Sequence, residues 1–123
     1  MENICTERLL LTPWRDCEQD AKELYDYAKD KDVGPSAGWK PHESVEESRE
    51  IIRQLFIKNN TWAIREKVSG KIIGSISLEN DRRREDVKSM EMGYSLSKEH
   101  WGKGYMTEAA KAVMDYGFEK YGL

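Results

Sequence analysis

Three stretches in the middle of the chain alternate apolar and polar residues with a period of two. The first begins at Thr61, the second runs from Lys71 to Glu79, and the third from Met90 to Leu96. Side chains of a strand point alternately to opposite faces, so this period predicts three strands. Ser69-Gly70 lies between the first two and predicts a hairpin turn. One face of the second strand is predicted to carry Ile72, Gly74, Ile76 and Leu78.

Two helices are predicted before these strands. Apolar residues at helical spacing place the first over 16–30 and the second from Ser44 to about Lys58. Asp16 is the expected N-cap of the first helix, and Ser44-Val45-Glu46-Glu47 matches a capping box at the start of the second. The apolar face of the second helix is predicted to consist of Ile51, Ile52, Leu55 and Phe56.

A further strand and a further helix complete the pattern. Arg8–Thr12 predicts a short first strand, which Pro13 ends because proline has no N–H to give to a ladder. A long last helix is expected from about Tyr105 to Lys120, and Gly122 suits its C-terminal cap. Its predicted buried stripe is Met106, Ala109, Ala110, Val113, Met114 and Gly117. The order strand, helix, helix, three strands, helix indicates the α+β class.

Length and charge exclude several kinds of protein. The 123 residues suffice for one domain, predicted to span 1–123. No apolar run approaches the length of a membrane span, which needs roughly 20 residues. The net charge is −3, whereas nucleic-acid binders usually carry a basic footprint. We therefore expect neither nucleic acid nor membrane as a partner.

One basic run interrupts this acidic balance. Arg82-Arg83-Arg84 is followed at once by Glu85-Asp86. A charge run of mixed sign predicts a solvated loop, with a contact to phosphates or to an acidic substrate as the alternative.

The residue types that bind metals are sparse. Cys5, Cys17, His42 and His100 are the cysteines and histidines, and none stands at metal-ligand spacing. The start of the chain has no basic region followed by an apolar stretch, so no secretory signal is expected. These features predict free thiols, no metal and a cytoplasmic location.

The segment with the most chemical information runs from Ser95 to Ala109. There a strand ends, a loop carries Gly102 and Gly104, and a helix begins. The first turn of a helix has N–H groups without intrahelical partners and partial positive charge, so it favours an anion such as phosphate. Glycines allow close approach of the backbone, and Lys103 adds a formal charge. The alternative is that both glycines serve only as turn residues.

This segment resembles the central motif of the GNAT superfamily, and more closely its branch of ribosomal-protein N-terminal acetyltransferases. The resemblance is carried by the runs Met92-Gly93-Tyr94-Ser95-Leu96 and Trp101-Gly102-Lys103-Gly104-Tyr105-Met106-Thr107-Glu108-Ala109. Upstream it extends to Arg8–Trp14, Trp62-Ala63-Ile64 and 71–76 in matching order, and it covers essentially the whole chain. It implies a mixed, mainly antiparallel sheet with flanking helices, and the activity of an N-acetyltransferase.

The same resemblance implies acetyl-CoA as co-substrate and nominates the residues that bind it. Backbone amides from Trp101 to Met106, including Gly102, Lys103, Gly104 and Tyr105, would hold the pyrophosphate of coenzyme A. Main-chain groups of Tyr94, Ser95 and Leu96 on the fourth predicted strand would hold pantetheine. Glu99 departs from the Gln or Arg often found three residues before the first glycine, although the amides matter more than this side chain.

The implied reaction is direct attack of an amine on the thioester. A carboxylate would take the proton of the amine, and Glu79 and Glu91 are the carboxylates on central strands. Their alternative role is as surface or salt-bridged residues. A backbone N–H near Leu96 would polarise the thioester oxygen. Trp39 and His42 are candidates for the acceptor site, with Trp39 otherwise a ring that closes the edge of the core. The acceptor could be a protein N-terminus or a small-molecule amine.

The superfamily pattern continues beyond the last helix with a fifth strand, a fourth helix and two more strands. This sequence stops at Leu123 without them, so the domain is expected to be C-terminally incomplete, whether by shortening, by natural truncation or with completion by another subunit. The fourth predicted strand would then be an open edge, for which a homodimer would supply a partner strand. Two alternative functions remain: a non-catalytic module that binds CoA or a protein, and a self-associating structural remnant.

Overall fold

The computed structural model describes residues 3–33, 40–58, 61–80 and 90–121, with the side chains of 78–80, 90–93, 118, 120 and 121 excepted. Its strands form a five-stranded sheet in the order β1-β2-β3-β4-β5, and every pairing is antiparallel. The elements are β1 (Ile4–Cys5), β2 (Leu9–Pro13), α1 (Glu18–Ala28), α2 (Val45–Ile51), β3 (Thr61–Glu66), β4 (Ile72–Asn80), β5 (Met90–Leu96) and α3 (Tyr105–Tyr121). The α+β class is thereby confirmed.

The short strand β1 was not predicted from the sequence. It pairs with β2 through Ile4↔Leu11 and Cys5↔Leu10, so the fourth predicted strand is the fifth in the structure. Strand β1 has two residues, too few for an alternating pattern to be recognised. Pro13 is the last residue of β2, as its missing N–H predicts.

The predicted N-cap of α1 is wrong. Cys17 occupies the N-cap position, with no side-chain hydrogen bond to the helix. The carboxylate of Asp16 instead forms ion pairs with Arg49 at 2.9 Å and Arg53 at 3.0 Å. Hydrogen bonds from Arg53 and Arg49 lower the pKa of Asp16. Asp16 therefore binds Arg49 and Arg53, which are distant in sequence, and does not cap α1 as the local rule predicts.

Helix α2 begins as predicted and then changes its period. The hydroxyl of Ser44 accepts from the N–H of Glu47 at 3.1 Å, which is the serine half of a capping box. From Ile52 to Phe56 the helix continues as a π-helix. The longer turn of a π-helix rotates the predicted apolar face. Leu55 is 48% exposed as a result, while Ile52 and Phe56 are buried. The prediction of Leu55 as a core residue is wrong.

A β-bulge in β4 changes which of its side chains share a face, so the predicted faces are wrong. Ile64 pairs with Gly74 but Arg65 pairs with Ile72, so one extra residue of β4 is inserted between the two pairs. Ile73 consequently packs with Ile76 on one side of the sheet, and Ile72 packs on the other. Ile72 and Ile76 do not share a face, contrary to the simple alternation.

The sheet carries a core on each face. One is formed with α3 and contains Leu9, Leu11, Trp62, Ile64, Ile73, Ile76, Leu96, Tyr105, Ala109 and Val113. The other is formed with α1 and the α2 segment and contains Trp14, Ala21, Leu24, Tyr27, Ala28, Val33, Ile52, Phe56, Ala63 and Ile72. Met114, predicted in the buried stripe of α3, is 50% exposed.

Three further predictions concern membrane spans, the C-terminal cap of α3 and the basic run. Among the described helices, none combines the length and apolar character needed to cross a membrane. Gly122 and Arg82-Arg83-Arg84 lie outside the described residues.

Candidate functional site

The loop between β5 and α3 is shaped by two glycines in the left-handed region. Gly102 has φ 79° and Gly104 has φ 78°. Residues with a Cβ rarely adopt such values. The first bond of α3 runs from the N–H of Glu108 to the carbonyl of Gly104 at 3.1 Å. The N–H groups of the preceding residues in the first turn have no intrahelical acceptor, and the helix dipole makes their surroundings positive. This loop can therefore bind an anion.

A cleft of about 420 Å³ lies where the end of β5 faces this loop. This volume is within the range of small-molecule sites. The residues predicted to bind the co-substrate line it with one exception, and these are Tyr94, Ser95, Leu96, Trp101, Gly102, Gly104, Tyr105 and Met106. The exception is Lys103, whose carbonyl accepts a hydrogen bond from Arg8 at 2.8 Å. Val33, His100 and Thr107 also line the cleft and were not predicted.

Strand β5 presents alternate main-chain groups to its two sides. The N–H of Ser97 donates to the carbonyl of Ile73 at 2.7 Å, which sets the alternation. Odd-numbered residues such as Ser95 then bond to β4, whereas Tyr94 and Leu96 direct their N–H and C=O groups to the other edge. Among the described residues, no strand pairs with that edge.

Trp101 binds the open edge of β5 at its last residue. Its indole Nε1 donates to the carbonyl of Leu96 at 2.8 Å, although its side chain is 42% exposed. The carbonyl of Leu96 is thus already bonded to Trp101. The N–H of Leu96, which points to the open edge, is the main-chain group of this residue best placed to bind a ligand.

Ser95 lines the cleft, but its side chain is hydrogen-bonded to two residues that do not. Its hydroxyl lies 2.7 Å from that of Ser75 and 3.2 Å from that of Tyr27. Burial raises the pKa of Tyr27 to about 12, so this tyrosine is a neutral hydrogen-bonding group. With its main chain turned to β4 and its side chain to α1, Ser95 has a structural role beside the cleft.

Arg8 and Glu108 connect the start of β2 to the first turn of α3. The carboxylate of Glu108 accepts from the Arg8 Nε at 2.7 Å and the Arg8 backbone N–H at 2.9 Å, and also from the Thr6 hydroxyl. Burial alone would raise the pKa of Glu108, but these hydrogen bonds and the arginine charge outweigh it and lower the pKa. The carboxylate of Glu108 is therefore ionised, and its negative charge is balanced by the guanidinium of Arg8.

A second carboxylate supports the loop from β3. Glu66 accepts from the hydroxyl of Tyr105 at 2.8 Å and from that of Ser69 at 2.8 Å. These bonds lower the pKa of Glu66, and the bond to Glu66 raises the pKa of Tyr105. The Nε2 of His100 lies 3.6 Å from Glu66, and its buried Nδ1 has no hydrogen-bond partner within the described part of the protein.

The structure describes the residues predicted for catalysis and for the acceptor to different extents. Glu79 and Glu91 are Cα partners across β4 and β5, and the structure describes their backbone only. Trp39 lies outside the described residues. His42 is buried, with its Nδ1 2.8 Å from the Ser48 hydroxyl, and it does not line the cleft. Burial lowers the pKa of His42.

Sequence reasoning missed Arg8 and Glu108 as partners. Their contact spans 100 positions, and no local pattern connects the residue before β2 to a residue of α3 at that distance. Both residues belong to the runs that resemble the GNAT motif, but the resemblance implies no role for either. Among the described His, Cys, Asp and Glu residues, no group of three or more could hold a metal ion.

Known proteins share this architecture. The sequence matches the family of the acetyltransferase (GNAT) domain over residues 8–123. It is 34% identical to the uncharacterized N-acetyltransferase p20 of Bacillus licheniformis, in an alignment that covers 100% of this chain and 70% of that protein.

Solved structures give the same picture for the fold. The acetyltransferase (GNAT family) of Bacillus anthracis superimposes with a TM-score of 0.82 at 21% identity, over 99% of this chain and 69% of that chain. A ribosomal L7/L12 alpha-N-protein acetyltransferase, solved in complex with coenzyme A, superimposes with a TM-score of 0.73 at 19% identity, over 94% and 67%.

The family match and the relative at 34% identity show that the chain is an acyltransferase, which transfers acetyl groups. It belongs to the GNAT superfamily of N-acetyltransferases.

Proposed function

We propose that this protein transfers the acetyl group of acetyl-CoA to a primary amine, on a protein N-terminus or a small molecule, by direct attack. The observation that supports this most is the glycine loop at the start of α3. Its two positive-φ glycines line a cleft that adjoins the end of β5, and the first-turn N–H groups of α3 have no intrahelical acceptor. An anionic head and an extended chain would fit this combination, and coenzyme A has both.

The cradle for the diphosphate is assigned to residues 102–106, because the N–H of Trp101, predicted as part of it, donates to the carbonyl of Lys98 at 3.1 Å. The first-turn amides of α3 and the glycine loop donate hydrogen bonds there, and the helix dipole favours the negative charge. Acetyl-CoA supplies an activated acyl group, a thioester, when it is bound. The role of the loop is to hold and orient that group against the end of β5.

The open edge of β5 is assigned to the pantetheine arm. The alternation favours Tyr94 and Leu96 for main-chain hydrogen bonds, in place of the predicted set that included Ser95. The N–H of Leu96 is suited to polarise the thioester oxygen, because a fixed donor aimed at developing charge needs no reorganisation during the reaction.

The general base is assigned to the pair Glu79 and Glu91. These residues are directly opposite in the β4–β5 register. Either carboxylate would take the proton of the attacking amine. We expect Glu79→Gln or Glu91→Gln, whichever removes the base, to lower kcat by about 100-fold. Equal rates in both variants and the wild type would exclude the pair.

Trp39 and His42 remain predictions for the acceptor site. The burial of His42 and its bond to Ser48 favour a role in joining α1 to α2.

We propose that residues 1–123 act as one acetyltransferase-type domain, and that the open edge of β5 pairs with a second copy. Sedimentation at increasing concentration tests the latter, and a monomer at all concentrations would contradict it.

The test of the proposed function combines binding with turnover. Calorimetry with coenzyme A should show binding, and thiol release from acetyl-CoA should depend on an added amine. The amines should include a peptide with a free N-terminus, a polyamine, an aminoglycoside and a free amino acid. Binding without turnover for any amine would favour the non-catalytic alternative. Absence of binding would overturn the proposal.

A further inference from the structure

Arg8 makes three kinds of contact around the glycine loop. Its Nη1 donates to the carbonyl of Lys103 at 2.8 Å, and its Nε donates to Glu108 at 2.7 Å. Its guanidinium carbon lies 4.4 Å from the ring centroid of Tyr105, and its Nη2 would lie 3.5 Å from a Cβ placed on Gly104. One side chain from the start of β2 therefore reaches the loop, the helix start and the tyrosine between them.

We propose that Arg8 is a positioning residue that sets the orientation of the diphosphate cradle. In a trans peptide the C=O of one residue and the N–H of the next point in opposite directions. Because Arg8 holds the carbonyl of Lys103, the N–H of Gly104 is turned away from Arg8. Gly104 itself lines the cleft. Gly104 has no Cβ to restrict its backbone, which allows its positive φ of 78°, so the hydrogen bond from Arg8 to the carbonyl of Lys103 supplies a restraint.

Charge gives Arg8 a second effect on the same cradle. Glu108 carries a negative charge in the first turn of α3, where the diphosphate is proposed to bind. Its side chain is 18% exposed, so water screens it only in part. The guanidinium of Arg8 neutralises this charge and keeps it from repelling the ligand. The inference rests on the proposed function, since it concerns the binding of coenzyme A.

The decisive variant is Arg8→Lys, which keeps the charge and removes the planar fork. A single ammonium cannot reach Glu108 and Lys103 together while covering the ring of Tyr105. We expect Arg8→Lys to weaken coenzyme A binding by about tenfold, and Arg8→Gln, which also removes the charge, to weaken it further. Binding of pantetheine, which lacks the diphosphate, should stay unchanged.

Arg53→Lys is the matched control. Arg53 makes a similar ion pair with Asp16 and does not line the cleft. Its replacement should leave the affinity for coenzyme A at the wild-type value, which shows that the loss in Arg8→Lys is specific to the position.

Affinities for coenzyme A and pantetheine are measured by titration on the same folded samples, so their ratio is independent of a loss of folded protein. Dephospho-coenzyme A separates positioning from direct contact with the 3′-phosphate. It should show the same tenfold loss as coenzyme A, and a loss confined to coenzyme A would overturn the proposal.

Two further outcomes would overturn it: wild-type affinity in Arg8→Lys, or equal losses for pantetheine and coenzyme A. Absence of coenzyme A binding by the wild-type protein would overturn the proposed function and this inference together. Normal wild-type binding that Arg8→Lys leaves unchanged would overturn this inference alone.

Discussion

The indole N–H of Trp101 donates to the carbonyl of Leu96 at 2.8 Å, which ties the turn after β5 back to the last residue of that strand. Trp101→Phe removes this donor and keeps an aromatic ring. We expect the free energy of unfolding to fall by about 1 kcal/mol, the usual net value of one hydrogen bond. Urea denaturation measures the change. Tyr94→Phe is the control, because the side chain of Tyr94 is 57% exposed. Substitutions at such surface positions usually have small effects. An equal, small change in both variants would mean that the bond contributes nothing.

Replacement of the loop glycines by alanine should separate strain from ligand binding. Gly102, Gly104 and Gly70 all have φ between 74° and 79°, and a Cβ on any of them meets no atom closer than 3.5 Å. Each alanine variant should therefore lose about 1–2 kcal/mol of stability from backbone strain. Only Gly102→Ala and Gly104→Ala should also weaken coenzyme A binding, because Gly70 lies in the β3–β4 turn. Calorimetry that gives Gly70→Ala the same loss of affinity would count against the loop as the binding site.

Gly74 allows β5 to approach β4 closely. A Cβ at this position would lie 2.4 Å from the carbonyl oxygen of Ser95, a backbone atom that cannot move alone. Gly74→Ala should therefore displace β5 and lower the free energy of unfolding by about 1–3 kcal/mol. Amide exchange of the β5 residues should accelerate in this variant. Unchanged exchange with unchanged stability would show that the strands relax without cost.

Stability should decline on mild acidification because of His42. Burial is the main cause of its lowered pKa, and Glu47 opposes the shift only in part. Below the unfolded-state pKa of about 6.5, the unfolded chain takes up a proton that the folded protein resists, so stability falls as the pH falls. Above that pH the contribution of neutral His42 is complete. Urea midpoints at about pH 7.5 and 5.5 should differ less in His42→Asn than in the wild type. An identical difference in both proteins would assign the pH dependence to other groups.

Local signals in the sequence predicted most elements of the fold. The Ser69-Gly70 hairpin and the Ser44 cap depend on residues within a few positions of one another, so their chemistry can be recognised without the tertiary structure. The strand–glycine–helix segment is equally local, and eight of the residues predicted to bind the co-substrate line the cleft beside it, whereas Val33, His100 and Thr107 were not predicted.

The errors arise where a distant residue or an irregular turn overrides the local rule. Asp16 pairs with Arg49 and Arg53, which lie 33 and 37 positions away, instead of capping α1. The π-turn exposes Leu55, and the bulge places Ile72 on the face opposite to Ile76. Both irregularities insert one residue into a regular period, and the apolar pattern on either side does not reveal where that insertion falls.

The contacts of Thr6 and Arg8 with Lys103 and Glu108 join positions 95 to 102 apart along the chain. Closing so long a loop costs entropy that only later contacts repay. During biosynthesis the β3–β4 hairpin can form early. The glycine loop is bonded to Arg8 only when α3 packs beside the β1–β2 pair. A nascent chain that has collapsed around its sheet would therefore be compact well before its glycine loop reached this restrained geometry.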